Sequence, residues 1–153
     1  MTNVTKSRIL IDTNILYYAN TPETSFGKQA IEIVRELALL DNELCISSQI
    51  IKEYSNQTLK NAAYHKFDLA TYVSIVKRNI TRFEHNFNVI YENKDVLKQW
   101  LDFLPKLTTH RDIFDFNLAA TMFVYNIPYI LTHNESDFRK FSDFITVIPL
   151  FSK

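Results

Sequence analysis

Acidic side chains recur in this chain just after short apolar runs. Asp12 closes the run Arg8-Ile-Leu-Ile. Glu53 lies about one helical turn beyond the run Leu44-Cys-Ile46 and the serines that follow it. Asp112 and Asp115 stand three apart at the start of a helical pattern. Asp137 follows Tyr129-Ile-Leu131, beyond Asn134. Carboxylates gathered without compensation repel one another and hold their protons more tightly. A divalent cation removes that conflict, and Mg²⁺ and Mn²⁺ prefer oxygen ligands of this kind. Such a centre orients a water, eases its deprotonation and stabilises a phosphodiester transition state. Each acid alone also has a purely structural reading. Asp112 could cap a helix with Asp115 in a capping-box-like place, Asn134 and Asp137 repeat that spacing, and Asp12 could be a loop acid. Acids after three successive strand-like runs favour the joint site.

The elements that must position these acids can be read from periodicity. Short apolar runs at Arg8–Ile11, Leu44–Ile46, Asn88–Tyr91, Tyr129–Leu131 and Ile145–Ile148 predict strands. Between them the spacing predicts helices over Asn14–Ala19, Phe26–Leu40 with Ser25 as N-cap, and from Ser47 or Ser48 to about Asn61. Further helices are predicted over Lys66–Arg82, with Leu69, Tyr72, Val73 and Val76 on one face, Lys94–Leu104, Ile113–Tyr125 and Glu135–Phe141. This alternation predicts an α/β fold, a three-layer α/β/α sandwich with a mostly parallel central sheet. In such sheets the site lies beyond the carboxyl ends of the strands, where these acids fall.

Composition narrows the chemistry. With 153 residues and 46% hydrophobic side chains, one domain spanning residues 1–153 with one core is expected. A single glycine rules out glycine-rich phosphate loops and the dinucleotide fingerprint, and a single cysteine, Cys45, rules out an internal disulfide or a C-x-x-C site. The four histidines have no metal spacing, so zinc is not expected. Seventeen basic and 17 acidic side chains balance, so net charge points to no polyanion partner. With no targeting segment and no long uncharged apolar stretch, the chain reads as a soluble cytoplasmic protein that does not enter a membrane.

Four segments resemble those of a known family. Ile11-Asp12-Thr13-Asn14-Ile15-Leu16 resembles the opening motif of PIN-domain ribonucleases, the fold of the VapC toxins of toxin–antitoxin pairs. Ser47-Ser48-Gln49-Ile50-Ile51-Lys52-Glu53 is similar to the second motif, the helix opened by Asp115 to the third, and Leu131-Thr132-His133-Asn134-Glu135-Ser136-Asp137-Phe138 to the fourth. Order and spacing agree from about Arg8 to Ile148. The resemblance implies that Asp12, Glu53 and Asp115 are metal-binding acids, that Thr13 and Asn14 support the first of them, and that Thr132 is a site threonine. Many relatives carry aspartate where this chain has Asn134, and others carry asparagine there and an acid three residues later. This chain follows the second pattern, which makes Asp137 a candidate fourth acid, while Asn134 can still ligate through its carbonyl oxygen without bringing charge. Asp112 is an additional candidate ligand.

The resemblance implies a Mg²⁺- or Mn²⁺-dependent ribonuclease, the toxin half of a pair with a protein antitoxin, and a homodimer. Residues 52–82 hold six basic and two acidic side chains with interleaved aromatics, as an RNA-binding rim would. Lys52, Lys60, Lys77, Arg82 and, beside the acids, Arg111 are the candidate phosphate contacts. An ordinary solvated face would look the same. Three rivals stand beside the nuclease. A haloacid-dehalogenase-type phosphotransferase would want a second aspartate where Asn14 stands. A receiver domain would want an acidic pair and a late lysine. A non-catalytic relative that binds RNA or protein would keep the fold alone.

Overall fold

The computed structural model describes residues 3–151. The chain runs β1 (Arg8–Ile11), α1 (Thr13–Ala19), α2 (Gly27–Leu39), β2 (Glu43–Ser47), α3 (Ser48–Tyr64), α4 (Leu69–Asn86) and β3 (Asn88–Ile90). It continues through α5 (Lys94–Phe103), α6 (Ile113–Val124), β4 (Tyr129–Thr132), a 3-10 segment Glu135–Phe141 and β5 (Thr146–Pro149). The five strands form one sheet in the order β3-β2-β1-β4-β5, every pairing parallel. Helices cover it to give the expected α/β/α sandwich. Among the described residues no helix is long and apolar enough to cross a membrane.

The two inner strands explain why their runs are continuous rather than alternating. Ile9, Leu10 and Ile11 in β1, and Ile130 and Leu131 in β4, are fully buried, because helices lie on both faces. Helix starts are set by local chemistry. The Ser47 hydroxyl accepts from the Ile50 amide at 3.2 Å and starts α3, and Asp68 accepts from Thr71 at 3.1 Å and starts α4. The one glycine sits where backbones nearly touch. A Cβ on Gly27 would come within 2.6 Å of the Pro22 Cα, so only glycine lets α2 begin against the Thr21–Pro22 loop.

Two local expectations are corrected. Ser25 does not cap α2; Phe26 holds the N-cap place without a side-chain bond. α4 packs against α3 and buries Val76, Asn79 and Phe83, while Leu69 and Val73 are exposed. The Asn79 amide donates to the Tyr54 hydroxyl at 2.8 Å within that pairing, which makes Asn79 the buried polar anchor of the hairpin. The short helix expected after β4 is present over Glu135–Phe141, in the 3-10 form. Cys45 behaves as a small core side chain: it is fully buried, and burial pushes its thiol up to about 11.

From β1 the chain builds outward through β2 to β3, then returns to lay β4 and β5 on the other side of β1. The order therefore reverses between β1 and β4. At such a switch point the two crossing connections diverge and leave a crevice beyond the carboxyl ends of the strands.

Candidate functional site

Asp12 is the first residue after β1 and Thr132 the last of β4, so both stand at that crevice. The register Ile11↔Leu131 and the bond from the Asp12 amide to the Leu131 carbonyl (3.0 Å) put them side by side. Asp12 is 7% exposed and Thr132 is fully buried. The Thr132 hydroxyl donates to Asp12 Oδ2 at 2.7 Å, and the Thr13 amide donates to Oδ1 at 2.7 Å. Asn14 braces the same corner. Its Nδ2 reaches Thr132 Oγ1 at 3.3 Å and Asp12 Oδ2 at 3.4 Å, and its Oδ1 accepts from the His133 amide at 3.2 Å. Thr13, Asn14 and Thr132 thus hold one carboxylate in one orientation.

A cavity of about 300 Å³ opens above this corner, lined by Asp12, Thr13, Asn14, Glu53, Asp115 and Asn134 together with Tyr17, Tyr18 and Gln57. Glu53 enters from α3 and Asp115 from the first turn of α6. The Glu53 carboxylate is held on both oxygens, by Thr13 Oγ1 at 2.8 Å and by Gln49 Nε2 at 2.5 Å. Three expected acids therefore meet on one cavity wall from three separate segments. Asp112 and Asp137 are half-buried and outside the cavity lining, yet both act on Asp115 through their charges, Asp137 more strongly than Asp12 or Glu53.

The acids act on one another. Burial raises Asp12 to about 6 against the opposing pull of its Thr132 and Thr13 bonds, and the charges of Glu53 and Asp137 add to the rise. Burial and then the charges of Asp137, Asp12, Glu53 and Asp112 push Asp115 up to about 7. Asp137 is raised by burial and by Asp112. Among the described residues no basic side chain forms an ion pair with these acids. The one salt bridge among the described residues joins Arg8 and Glu43, away from the cavity. Nor does capping explain the acids at α6, since Asp112 makes no side-chain cap bond. Asn134 occupies the N-cap place of the 3-10 segment, also without a side-chain bond.

The donor set is entirely oxygen, anionic and mutually repelling, which fits a hard divalent cation and no soft one. Among the described residues no three His, Cys, Asp or Glu side chains stand close enough together to hold a metal ion as they are placed. The acids share a cavity wall while Glu53 is engaged by Thr13 and Gln49.

Several residues in or next to the cavity were missed in the sequence: Tyr17, Tyr18 and Gln57 line it, and Gln49, with Asn117 bonded to it, reaches Glu53 from outside that lining. Tyr17 and Tyr18 fall four positions after Thr13 and Asn14, so helical spacing from the first motif points to them. Gln49 is likewise one turn before Glu53. Asn117, which bonds to Gln49, has no such signal. Of the candidate RNA contacts, Lys52, Lys60, Lys77 and Arg111 are exposed. Arg82 is committed elsewhere: its Nη2 donates to Asn20 Oδ1 at 2.7 Å and Asn79 Oδ1 at 3.1 Å, tying α4 to the end of α1.

A model of the PIN domain family matches residues 9–143. The chain belongs to the PIN-domain family. The match spans all four acidic motifs. Solved PIN-like structures share the fold at low identity. A toxin–antitoxin complex from Klebsiella pneumoniae is 20% identical at a TM-score of 0.62, with 95% of this chain and 99% of that one covered. FitAcB from Neisseria gonorrhoeae is 17% identical at a TM-score of 0.67, covering 93% and 97%. The Sarcin-Ricin loop cleaving toxin VapC20 of Mycobacterium tuberculosis is 13% identical at 0.58, covering 80% and 86%. No curated protein matches this PIN chain by sequence.

Proposed function

We propose that this PIN domain is a Mg²⁺- or Mn²⁺-dependent ribonuclease and the toxin of a toxin–antitoxin pair, acting in the cytoplasm. The observation that carries the reading is the meeting of Asp12, Glu53 and Asp115 in one cavity at the sheet's switch point, without a basic partner. Membership of the PIN family supports it. So does the likeness to toxin–antitoxin structures.

Asp12, Glu53, Asp115 and Asp137 would hold the ions, directly or through water, with Asp112 an outlying fifth acid. A bound cation supplies Lewis acidity and a water of lowered pKa. The chain's own residues do the rest. Thr132, Thr13 and Asn14 keep Asp12 aimed into the cavity, and Tyr17 and Tyr18 form a wall beside the position of a scissile phosphate. Exposed Lys52, Lys60 and Lys77 offer charge to the flanking strand. Leu97 and Leu101 on α5 and Phe114 on α6 are exposed, apolar surface of the kind that an antitoxin or a second copy would cover.

The direct test is RNA cleavage by the purified chain with Mn²⁺ and with chelator. Metal-dependent cleavage supports the ribonuclease. RNA binding without cleavage would favour the second reading, a non-catalytic PIN module, to which Asn134 in the cavity lining lends support.

The fourth acid has its own expected result. Asp137 lies three residues after Asn134 and acts on both Asp12 and Asp115 through its charge. Asp137→Asn should weaken Mn²⁺ binding and cleavage, but less than Asp12→Asn. Were Asp137 only a charge in the first turn of a helix, worth about 0.3–1 kcal/mol, the melting temperature would fall while Mn²⁺ affinity and rate stayed unchanged. Calorimetric titration paired with thermal melts distinguishes the two.

A further inference from the structure

We infer that Gln49 and Asn117 are positioning residues for Glu53, joining the helices that carry two of the acids; this rests on the reading of Glu53 as a metal ligand. Gln49 lies one turn before Glu53 on α3, so the two side chains share a face. Its Nε2 donates to Glu53 Oε1 at 2.5 Å and to the Phe114 carbonyl at 3.1 Å. Its Oε1 accepts from Asn117 Nδ2 at 2.6 Å, and the same Asn117 amide donates to Glu92 Oε1 at 2.8 Å.

The two ends of an amide are not interchangeable here. Turning Gln49 over would set its oxygen against the Glu53 carboxylate and the Phe114 carbonyl, and its NH₂ against that of Asn117. All three contacts would change from attractive to repulsive. Asn117 is oriented in the same way by the Glu92 carboxylate. Its partners therefore allow Gln49 one orientation, the one that donates to Glu53.

The place of this chain matters as much as its geometry. Phe114 and Asn117 flank Asp115 in α6, and Gln49 grips both of them while holding Glu53 in α3. Glu53 and Asp115 repel each other across the cavity. The Gln49 amide is neutral and donates, so it bridges the two helices against that repulsion. Glu53 Oε2 is held meanwhile by Thr13. Each carboxylate oxygen keeps a second lone pair for an ion.

Gln49→Met removes the donor at nearly constant shape, and Asn117→Ala removes the group that orients it. Mn²⁺ titration calorimetry, steady-state RNA cleavage and melts in chelator should be run on wild type, both single variants and the double variant. Gln49→Met should weaken Mn²⁺ binding and lower kcat by about ten-fold or more, the range for losing an outer partner of a metal ligand. KM for RNA should stay within about two-fold. Asn117→Ala should move the same quantities less, and the double variant should be no worse than Gln49→Met, because both break one chain. Unchanged Mn²⁺ affinity in a folded Gln49→Met protein, or fully additive losses, would overturn the inference. If wild type binds Mn²⁺, Gln49→Met weakens that binding and no variant cleaves RNA, the ribonuclease reading fails and the positioning role stands. If wild type binds no Mn²⁺, the acids are not a metal site and the inference falls with them.

Discussion

Asp12→Asn is expected to abolish RNA cleavage while leaving the fold intact. Asp12 is the most buried of the acids and the one with the most supporting bonds. Asparagine keeps the size and still accepts from the Thr13 amide, but it brings no charge to hold a cation. Losing an outer partner of a metal ligand costs about 10–100-fold, so losing a ligand itself should cost more than about a hundred-fold in rate. The fold should survive, because the removed charge is one that its surroundings oppose. Cleavage at the wild-type rate by folded Asp12→Asn protein, with contaminating nuclease excluded, would sink the assignment of Asp12.

The second large effect is on stability. Asp12 and Asp115 are raised to about 6 and about 7 from an ordinary value of 3.8. A raised carboxyl binds its proton more tightly in the folded state. Its stabilising contribution is therefore complete below about pH 4 and is lost as pH rises through 6 to 7. For Asp12 the rise of about two pKa units corresponds to on the order of 3 kcal/mol, and Asp115 acts in the same direction. In chelator the melting temperature should fall between pH 5 and pH 8, by about 2–4 °C for each kcal/mol in a chain of this size. Mn²⁺ at pH 8 should restore it, since an ion that binds only the folded state stabilises by mass action. Asp12→Asn should flatten the slope, which assigns that part of it to this residue. Melts that do not change from pH 5 to pH 8 in chelator, or do not respond to Mn²⁺, would contradict the picture of repelling acids.

Much of this protein is legible without a structure, for local reasons. The strands and most helices follow from apolar periodicity, and Ser47 marks its helix start because a cap is a contact between near neighbours. The misplaced details depend on what packs nearby. Ser25 has the chemistry of a cap, but the close approach of α2 to Pro22 sets where that helix begins. Leu69 and Val73 have core-like character, yet α4 turns Val76, Asn79 and Phe83 inward instead and leaves those two exposed.

The candidate site divides in the same way. The sequence by itself determined the ligand chemistry: five acids, three of them (Asp12, Glu53 and Asp137) after strand-like runs, with no cysteine or histidine set to compete. It also placed Thr13, Asn14 and Thr132 beside the acids, because those motifs are contiguous in the chain. Only the tertiary structure decided which acids share a cavity. The sheet order puts β4 beside β1 and so brings Thr132 against Asp12 across 120 residues. Asn134 lines the cavity while Asp137 does not, a difference that three residues of sequence could not express. The Gln49–Asn117 bridge lies 68 residues apart and joins two helices. Hydrogen bonds of this kind depend on the packing of whole elements, which periodicity along the chain does not encode.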